Sequence, residues 1–125
     1  MPAELNHTIV HADDALESAT FLTEILGLPA PVPFGPFQAV VTANGASLDF
    51  IDAGGERFDV QHYSFLVSDD EYPTIRERVL GRGLATWADP ARTEPDVEYR
   101  HNGGVGFYFC DPSGHFLEVQ TRPYF

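Results

Sequence analysis

The chain repeats its own pattern, and this repeat restricts the fold more than any other feature of the sequence. When the segment at His7 is aligned with the segment at His62, 55 residues further on, Asp14 falls on Asp69. Each histidine lies in a strand-like stretch, and each aspartate marks the change to a helical pattern. Two copies of one unit in 125 residues predict a single domain built from two related modules.

Each module contains one predicted helix. In the first module, apolar residues at spacings of four, three and four form one stripe, made by Ala15, Ala19, Leu22 and Leu26. Asp14 and Glu17 match a capping box at the start of this helix, and Gly27 is placed to end it. In the second module the apolar stripe consists of Tyr72, Ile75 and Val79.

Two turns mark the strands that follow the helices. In the first module, Asn44-Gly45 interrupts strand sequence and predicts a hairpin. In the second, residues 111–114 place Asp, Pro and Gly where a type I turn prefers them, and His115 beyond the turn is expected to be exposed. Aligning the two turns gives an offset of 69 residues, which exceeds the first offset of 55 by 14. We expect the additional residues within about Thr86–Gly104, as a strand and a long loop of functional significance.

Each module therefore follows the order strand, helix, strand, strand, strand. Helices that interrupt strands in this way indicate an α+β fold in which helices cover one face of a sheet. We expect module 1 at residues 1–52, a hinge at 53–60 and module 2 at 61–125. The opposite, concave face of the curved sheet is expected to be partly polar, because polar strand residues recur at matching positions in both modules.

Glu118 is the unexpected residue of the last strand, because it lies between two apolar neighbours. A buried carboxylate is costly unless it is paired or coordinated. Strand alternation places Glu118, His7 and His62 on the polar faces of their strands. Two imidazoles and one carboxylate form a set suited to one divalent ion, Fe²⁺, Mn²⁺, Zn²⁺ or Ni²⁺, with open positions for substrate. Asp49, the repeat equivalent of Glu118, is the candidate for a fourth ligand.

Charge and composition narrow the classes of partner. The net charge is −12, from 7 basic and 19 acidic residues. This charge argues against nucleic acid, whose phosphates bind basic side chains, and against anionic membrane surfaces. No apolar run approaches the roughly 20 residues of a membrane span, and "MPAELNH" lacks a signal-peptide pattern. The lone Cys110 cannot form an internal disulfide, which fits a reducing cytoplasm. We therefore expect a cytoplasmic protein that acts on a small molecule.

At these residues the chain resembles the vicinal oxygen chelate superfamily, which includes glyoxalase I, extradiol dioxygenases, methylmalonyl-CoA epimerase, fosfomycin-resistance enzymes and bleomycin-resistance proteins. The stretches "LNHTIV" and "YFCDPSGHFLEV" and the doubled plan extend the resemblance over essentially the whole chain. The resemblance implies two tandem βαβββ modules that form a curled mixed sheet around a cavity. It also implies one divalent metal ion bound by His7, His62 and Glu118, and a homodimer.

Part of the second module resembles one branch of the superfamily more closely. The stretch "HNGGVGFYFCDPSGHFLE", from His101 to Glu118, is similar to the extradiol dioxygenase signature. This similarity assigns His101 and Tyr108 as catalytic groups near the substrate or bound oxygen. Those dioxygenases have a further catalytic histidine shortly before the second ligand, whereas this chain has no histidine between His11 and His62.

We expect a metal-dependent enzyme of the glyoxalase/dioxygenase-like class, either a lyase or isomerase or an oxidoreductase, with a small oxygen-chelating substrate. Glyoxalase I and the epimerases have Glu or Gln at the position of Asp49, and Asp is one methylene shorter. The alternative is a metal-free protein of bleomycin-resistance type that sequesters an antibiotic or metabolite. Acidity fits such a binder, but the intact ligand set does not. Substrate and metal identity stay open, as does whether the metal site lies in one chain or is shared across a dimer.

Overall fold

Each half of the chain folds as one strand, one helix and three further strands, in the order that the repeat predicts. The computed structural model describes residues 2–124, and the chain divides into two units, one ending at Asp59 and one beginning at Val60. Each unit has a four-stranded mixed sheet and one helix. The predicted α+β fold of two tandem βαβββ modules is therefore confirmed.

The first unit contains β1 (His7–Ala12), α1 (Ala15–Leu26), β2 (Val32–Phe34), β3 (Phe37–Val41) and β4 (Ser47–Asp52). The strand order is β1-β4-β3-β2, with β1 parallel to β4 and the other neighbours antiparallel. Strands β3 and β4 form the hairpin predicted at Asn44-Gly45, which is closed by a 2.8 Å bond from Thr42 N–H to the Ala46 carbonyl.

Helix α1 begins and ends where its sequence predicts. Asp14 is the N-cap, and its Oδ1 accepts a hydrogen bond of 3.0 Å from the N–H of Glu17. Gly27 ends the helix at a φ of +71°, a left-handed conformation that glycine adopts without a steric penalty. The apolar stripe is buried, as predicted, at Ala15, Ala19, Leu22 and Leu26.

The second unit contains β5 (His62–Leu66), α2 (Tyr72–Gly81), β6 (Tyr99–His101), β7 (Gly104–Cys110) and β8 (Phe116–Gln120). Its strand order is β5-β8-β7-β6, which repeats the arrangement of the first unit. The predicted stripe of α2 is buried, and the Tyr72 ring meets the ring of Phe107 edge-on, with centroids 5.8 Å apart. Neither of the two helices seen in residues 2–124 has the length and apolar character needed to cross a membrane.

The turn between β7 and β8 has the predicted position, but the expectation for the histidine after it is wrong. Asp111 Oδ1 accepts hydrogen bonds from the N–H groups of Ser113 (3.0 Å) and His115 (2.8 Å). His115 is 1% exposed, and its Nδ1 accepts a 2.9 Å bond from the Gln61 N–H. The turn therefore directs His115 inward, where it secures the segment that enters β5.

The additional length of the second unit lies between α2 and β6, within the predicted range. Trp87 pairs with Tyr108 of β7 through two backbone hydrogen bonds of 3.0 and 2.8 Å. The Asp89 carboxylate accepts bonds from the N–H groups of Thr93 (3.0 Å) and Glu94 (2.9 Å), which closes the loop on itself. The insertion is therefore an ordered loop that pairs with β7 before β6 begins.

We expect Asp14→Ala to lower the free energy of unfolding by about 1 kcal/mol, because the first turn of α1 loses its capping acceptor. Urea denaturation at neutral pH measures this difference. Asp14→Asn keeps a side-chain oxygen at the same place and should stay within a few tenths of a kcal/mol of the parent chain. Equal losses in the two variants would show that the cap bond has no role.

Candidate functional site

The face of the second sheet that points away from α2 holds the candidate site. Phe107 contacts α2, so its neighbour Tyr108 points to the opposite face. Tyr108 and Ser64 are the register partners of Glu118, and directly paired residues share a face. His62 lies two residues before Ser64 and shares this face as well. The sequence prediction that polar groups gather on the face opposite the helix holds for this unit.

Glu118 is 0% exposed, and both of its carboxylate oxygens have partners. Oε1 lies 3.0 Å from Nε2 of His62. Oε2 accepts hydrogen bonds from the hydroxyls of Tyr99 and Tyr124, the latter at 2.5 Å. The His62 side chain is 48% exposed. The carboxylate is therefore buried beside an imidazole that is open to solvent. The cost of burying this acid is thus offset by one imidazole and two phenols.

Gly106 allows Tyr99 to reach the carboxylate. It is the register partner of Tyr99 in the β6–β7 pair. A Cβ at position 106 would lie 2.3 Å from both Cζ and Oη of Tyr99 and 2.7 Å from the carbonyl oxygen of Val119. The phenol ring therefore crosses the strand over a position that only glycine leaves empty.

The phenols of the site are donors. Burial, followed by the hydrogen bond to Glu118, raises the pKa of Tyr99 far above its ordinary value. Burial and the hydrogen bond with Tyr124 likewise raise the pKa of Tyr108. Both hydroxyls therefore stay protonated through the neutral range, so they donate to acceptors rather than remove protons.

His101 and Tyr108, the two residues predicted as catalytic, line the same cavity. Its volume is about 420 Å³, and it is lined by Ala88, Tyr99, Arg100, His101, Tyr108 and Tyr124. The Tyr108 hydroxyl lies 3.3 Å from that of Tyr124, and the Tyr108 ring centroid is 5.7 Å from that of His62. The ring of His101 meets that of Tyr124 edge-on at 5.2 Å. The cavity thus adjoins the His62–Glu118 pair and has mainly aromatic walls.

Two of the three predicted metal ligands, His62 and Glu118, are therefore brought together. His7 belongs to the first unit, where it is exposed and its Nδ1 lies 2.8 Å from Asn6 Oδ1. Asp49, also in that unit, accepts a 2.8 Å hydrogen bond from the Ser47 hydroxyl. Among residues 2–124, no group of three or more His, Cys, Asp or Glu side chains is close enough together to hold a metal ion. The role of His7 as the third ligand stays a prediction.

The His62–Glu118 pair has a geometry that fits a divalent metal ion. Two ligands bound at about 2.1 Å and at right angles around one ion are about 3 Å apart. The 3.0 Å separation between Nε2 and Oε1 matches this spacing, and it also matches a hydrogen bond. Tyr99 and Tyr124 both donate to Oε2, so Oε1 is the carboxylate oxygen that faces His62.

Sequence reasoning missed Tyr99 and Tyr124 as partners of Glu118. A signal for Tyr99 was present, because Gly106 interrupts an apolar strand and a strand glycine often marks a close approach. Tyr124 follows Pro123 beyond the last strand, where no periodicity indicates which way a side chain points. The direction of the Tyr124 side chain therefore depends on how the residues after β8 fold.

The fold is that of a known class, and the chain belongs to the vicinal oxygen chelate superfamily. It is similar to oxidase ChaP-H1, whose solved structure is 52% identical with a TM-score of 0.95 over 98% of both chains. The structure of oxidase ChaP-H2 is 48% identical, with a TM-score of 0.95 over 99% of this chain and 97% of that one. Glutathione transferase FosA from Serratia marcescens is 27% identical over 127 residues, which is 97% of this chain and 82% of FosA. No protein-family model matches the chain.

We expect Gly106→Ala to lower the free energy of unfolding by about 1–3 kcal/mol, because the added methyl group displaces the Tyr99 ring or the strand behind it. Chemical denaturation measures the loss. Gly81→Ala is the matched control: nothing lies within 4 Å of its added Cβ, and it sits at the end of α2. That change should be neutral or stabilising, since alanine favours helix. Similar losses at both positions would contradict the close approach of Tyr99.

Proposed function

We propose that the chain is a divalent-metal-dependent oxidoreductase of the vicinal oxygen chelate type, with a small organic substrate that offers two oxygens to the metal. The main support is a buried carboxylate, Glu118, placed 3.0 Å from the exposed imidazole of His62 at an aromatic cavity. The 52% identity to a protein named as an oxidase favours oxidation over the lyase or isomerase chemistry that the sequence left open.

The ligands of the metal in this proposal are His62, Glu118 and His7. His62 and Glu118 have the spacing of adjacent ligands, and His7 is included because it is the repeat equivalent of His62. Fe²⁺, Mn²⁺, Zn²⁺ and Ni²⁺ all accept such a set. When bound, the ion would act as a Lewis acid and as a template for the substrate oxygens.

The residues around the cavity have distinct roles in the proposal. Tyr108, whose pKa is raised by burial, keeps its proton, and the hydroxyl can turn this proton from Tyr124 toward a substrate oxygen that gains negative charge. His101 lines the same cavity and supplies an imidazole that can accept or return a proton. The aromatic walls favour a flat substrate, and about 420 Å³ suits a small molecule.

Metal binding is the direct test of this function. Protein purified without oxygen should contain about one divalent ion per chain by elemental analysis, and His62→Ala and Glu118→Ala should lose it. His7→Ala should lose it as well, because we assign His7 as the third ligand. His11→Ala is the matched control, since it removes an exposed histidine from the same strand, and it should keep the metal.

The opposite outcome identifies the alternative function. A chain that purifies without metal, and whose affinity for a small molecule is unchanged by His62→Ala, would be a sequestering protein of bleomycin-resistance type. Iron in the parent protein with retention by His7→Ala would support the oxidoreductase proposal but would remove His7 from the ligand set.

A homodimer is part of the proposal, following the superfamily resemblance. The first unit exposes several large apolar side chains among the described residues, with Phe34 at 72%. Burial of these side chains against a second copy of the chain would remove apolar surface from water. Analytical ultracentrifugation at micromolar concentration should give twice the chain mass of 13.8 kDa. Phe34→Asp should shift the population toward the single-chain mass, and a parent protein that sediments as one chain would refute the dimer.

A further inference from the structure

Tyr124 returns from the end of the chain to the buried carboxylate of the site. Its hydroxyl donates a 2.5 Å hydrogen bond to Oε2 of Glu118. The same hydroxyl lies 3.3 Å from that of Tyr108, and its ring meets His101 edge-on. Tyr124 as a whole residue is 47% exposed, whereas Glu118 beside it is 0% exposed. Tyr124 therefore contacts Glu118, which is a proposed metal ligand. It also contacts Tyr108 and His101, the two cavity residues with proposed roles at the substrate.

The path of the tail is set by contacts away from the site. Both terminal nitrogens of Arg122 bond the Asp69 carboxylate, at 3.0 and 2.9 Å. The stem of Arg122 crosses Gly104, where an added Cβ would lie 2.6 Å from its Cγ. Pro123 then restricts the backbone before Tyr124. These constraints limit the directions in which the last residues can leave β8.

The two oxygens of Glu118 have different environments. Oε2 accepts two phenol hydrogen bonds, from Tyr99 and Tyr124, whereas Oε1 faces His62. The last torsion of a glutamate side chain is broad and roughly two-fold, so the carboxylate plane needs such contacts to hold one orientation. The two phenols come from separate elements, β6 and the tail, and together they leave Oε1 available on the side of His62.

We propose that Tyr124 is a positioning residue that holds Glu118 with Oε1 toward His62, where this oxygen would bind the metal. This inference rests on the proposed metal-dependent function. Partners that hydrogen-bond a metal ligand typically change metal affinity by about 10–100-fold when they are removed. Tyr99 lies over Gly106 within the sheet, whereas Tyr124 lies on the tail two residues after Arg122, which bonds Asp69. The affinity for metal is therefore coupled to the docking of the C-terminal tail.

The experiment compares metal affinity with stability. The affinity of the full chain for Mn²⁺ alone is measured by isothermal titration calorimetry, and the Tm by calorimetry without metal. We expect Tyr124→Phe to weaken Mn²⁺ binding about tenfold, and Glu118→Ala to abolish it. Tyr63→Phe is the matched control, because it removes a phenol hydroxyl from the opposite face of β5 and should leave the affinity unchanged.

A second pair of variants tests the tail without altering the site. Asp69→Asn weakens the contact with Arg122, and we expect it to lower Mn²⁺ affinity in the same direction as Tyr124→Phe but by a smaller factor. Asp70→Asn changes the neighbouring exposed carboxylate and should have no effect.

The outcomes separate this inference from the function on which it rests. Parent-like affinity in Tyr124→Phe, with binding abolished in Glu118→Ala, would overturn the positioning role and leave the metal site intact. A lowered Tm with unchanged affinity would reduce Tyr124 to a structural contact and also overturn it. Absence of Mn²⁺ binding in the parent chain would overturn both proposals.

Discussion

The burial of one carboxylate in an apolar strand is the constraint on which the second unit depends. Glu118 is fully buried, and an unpartnered charge there would oppose folding by several kcal/mol. Its partners come from three separate elements: His62 from β5, Tyr99 from β6 and Tyr124 from the tail. The contacts of this carboxylate therefore join β5, β6 and the tail at one position. The aromatic cavity forms around the same point, so stability and site geometry have a common origin.

The two units show how one supersecondary plan supports different local chemistry. At the repeat equivalent of Glu118, Asp49 is shorter and accepts a hydrogen bond from Ser47 of its own strand. In the second unit, the insertion before β6 is an ordered loop that pairs with β7 through Trp87. It leads directly into the strand that presents Tyr99 to the carboxylate. The added length thus has a structural role at the site.

Much of the fold and part of the site could be predicted from the sequence, because the signals are local. Apolar periodicity and the Asp14 cap define α1, and strand alternation correctly placed His62 and Glu118 on one face. The prediction for His115 was wrong, because a turn indicates where the chain reverses but not whether the next side chain finds a partner inside. That partner, the N–H of Gln61, lies more than fifty residues earlier in the chain.

The sequence by itself determined the doubled βαβββ plan, the ends of α1, the turns and the candidate pair on the last sheet. Each of these depends on residues within a few positions or on the two-residue period of strands. Only the tertiary structure decided which groups satisfy Glu118. Tyr99 reaches it across Gly106, and Tyr124 reaches it from an aperiodic tail directed by Arg122. Such contacts join segments through packing in three dimensions, and no spacing along the chain encodes them.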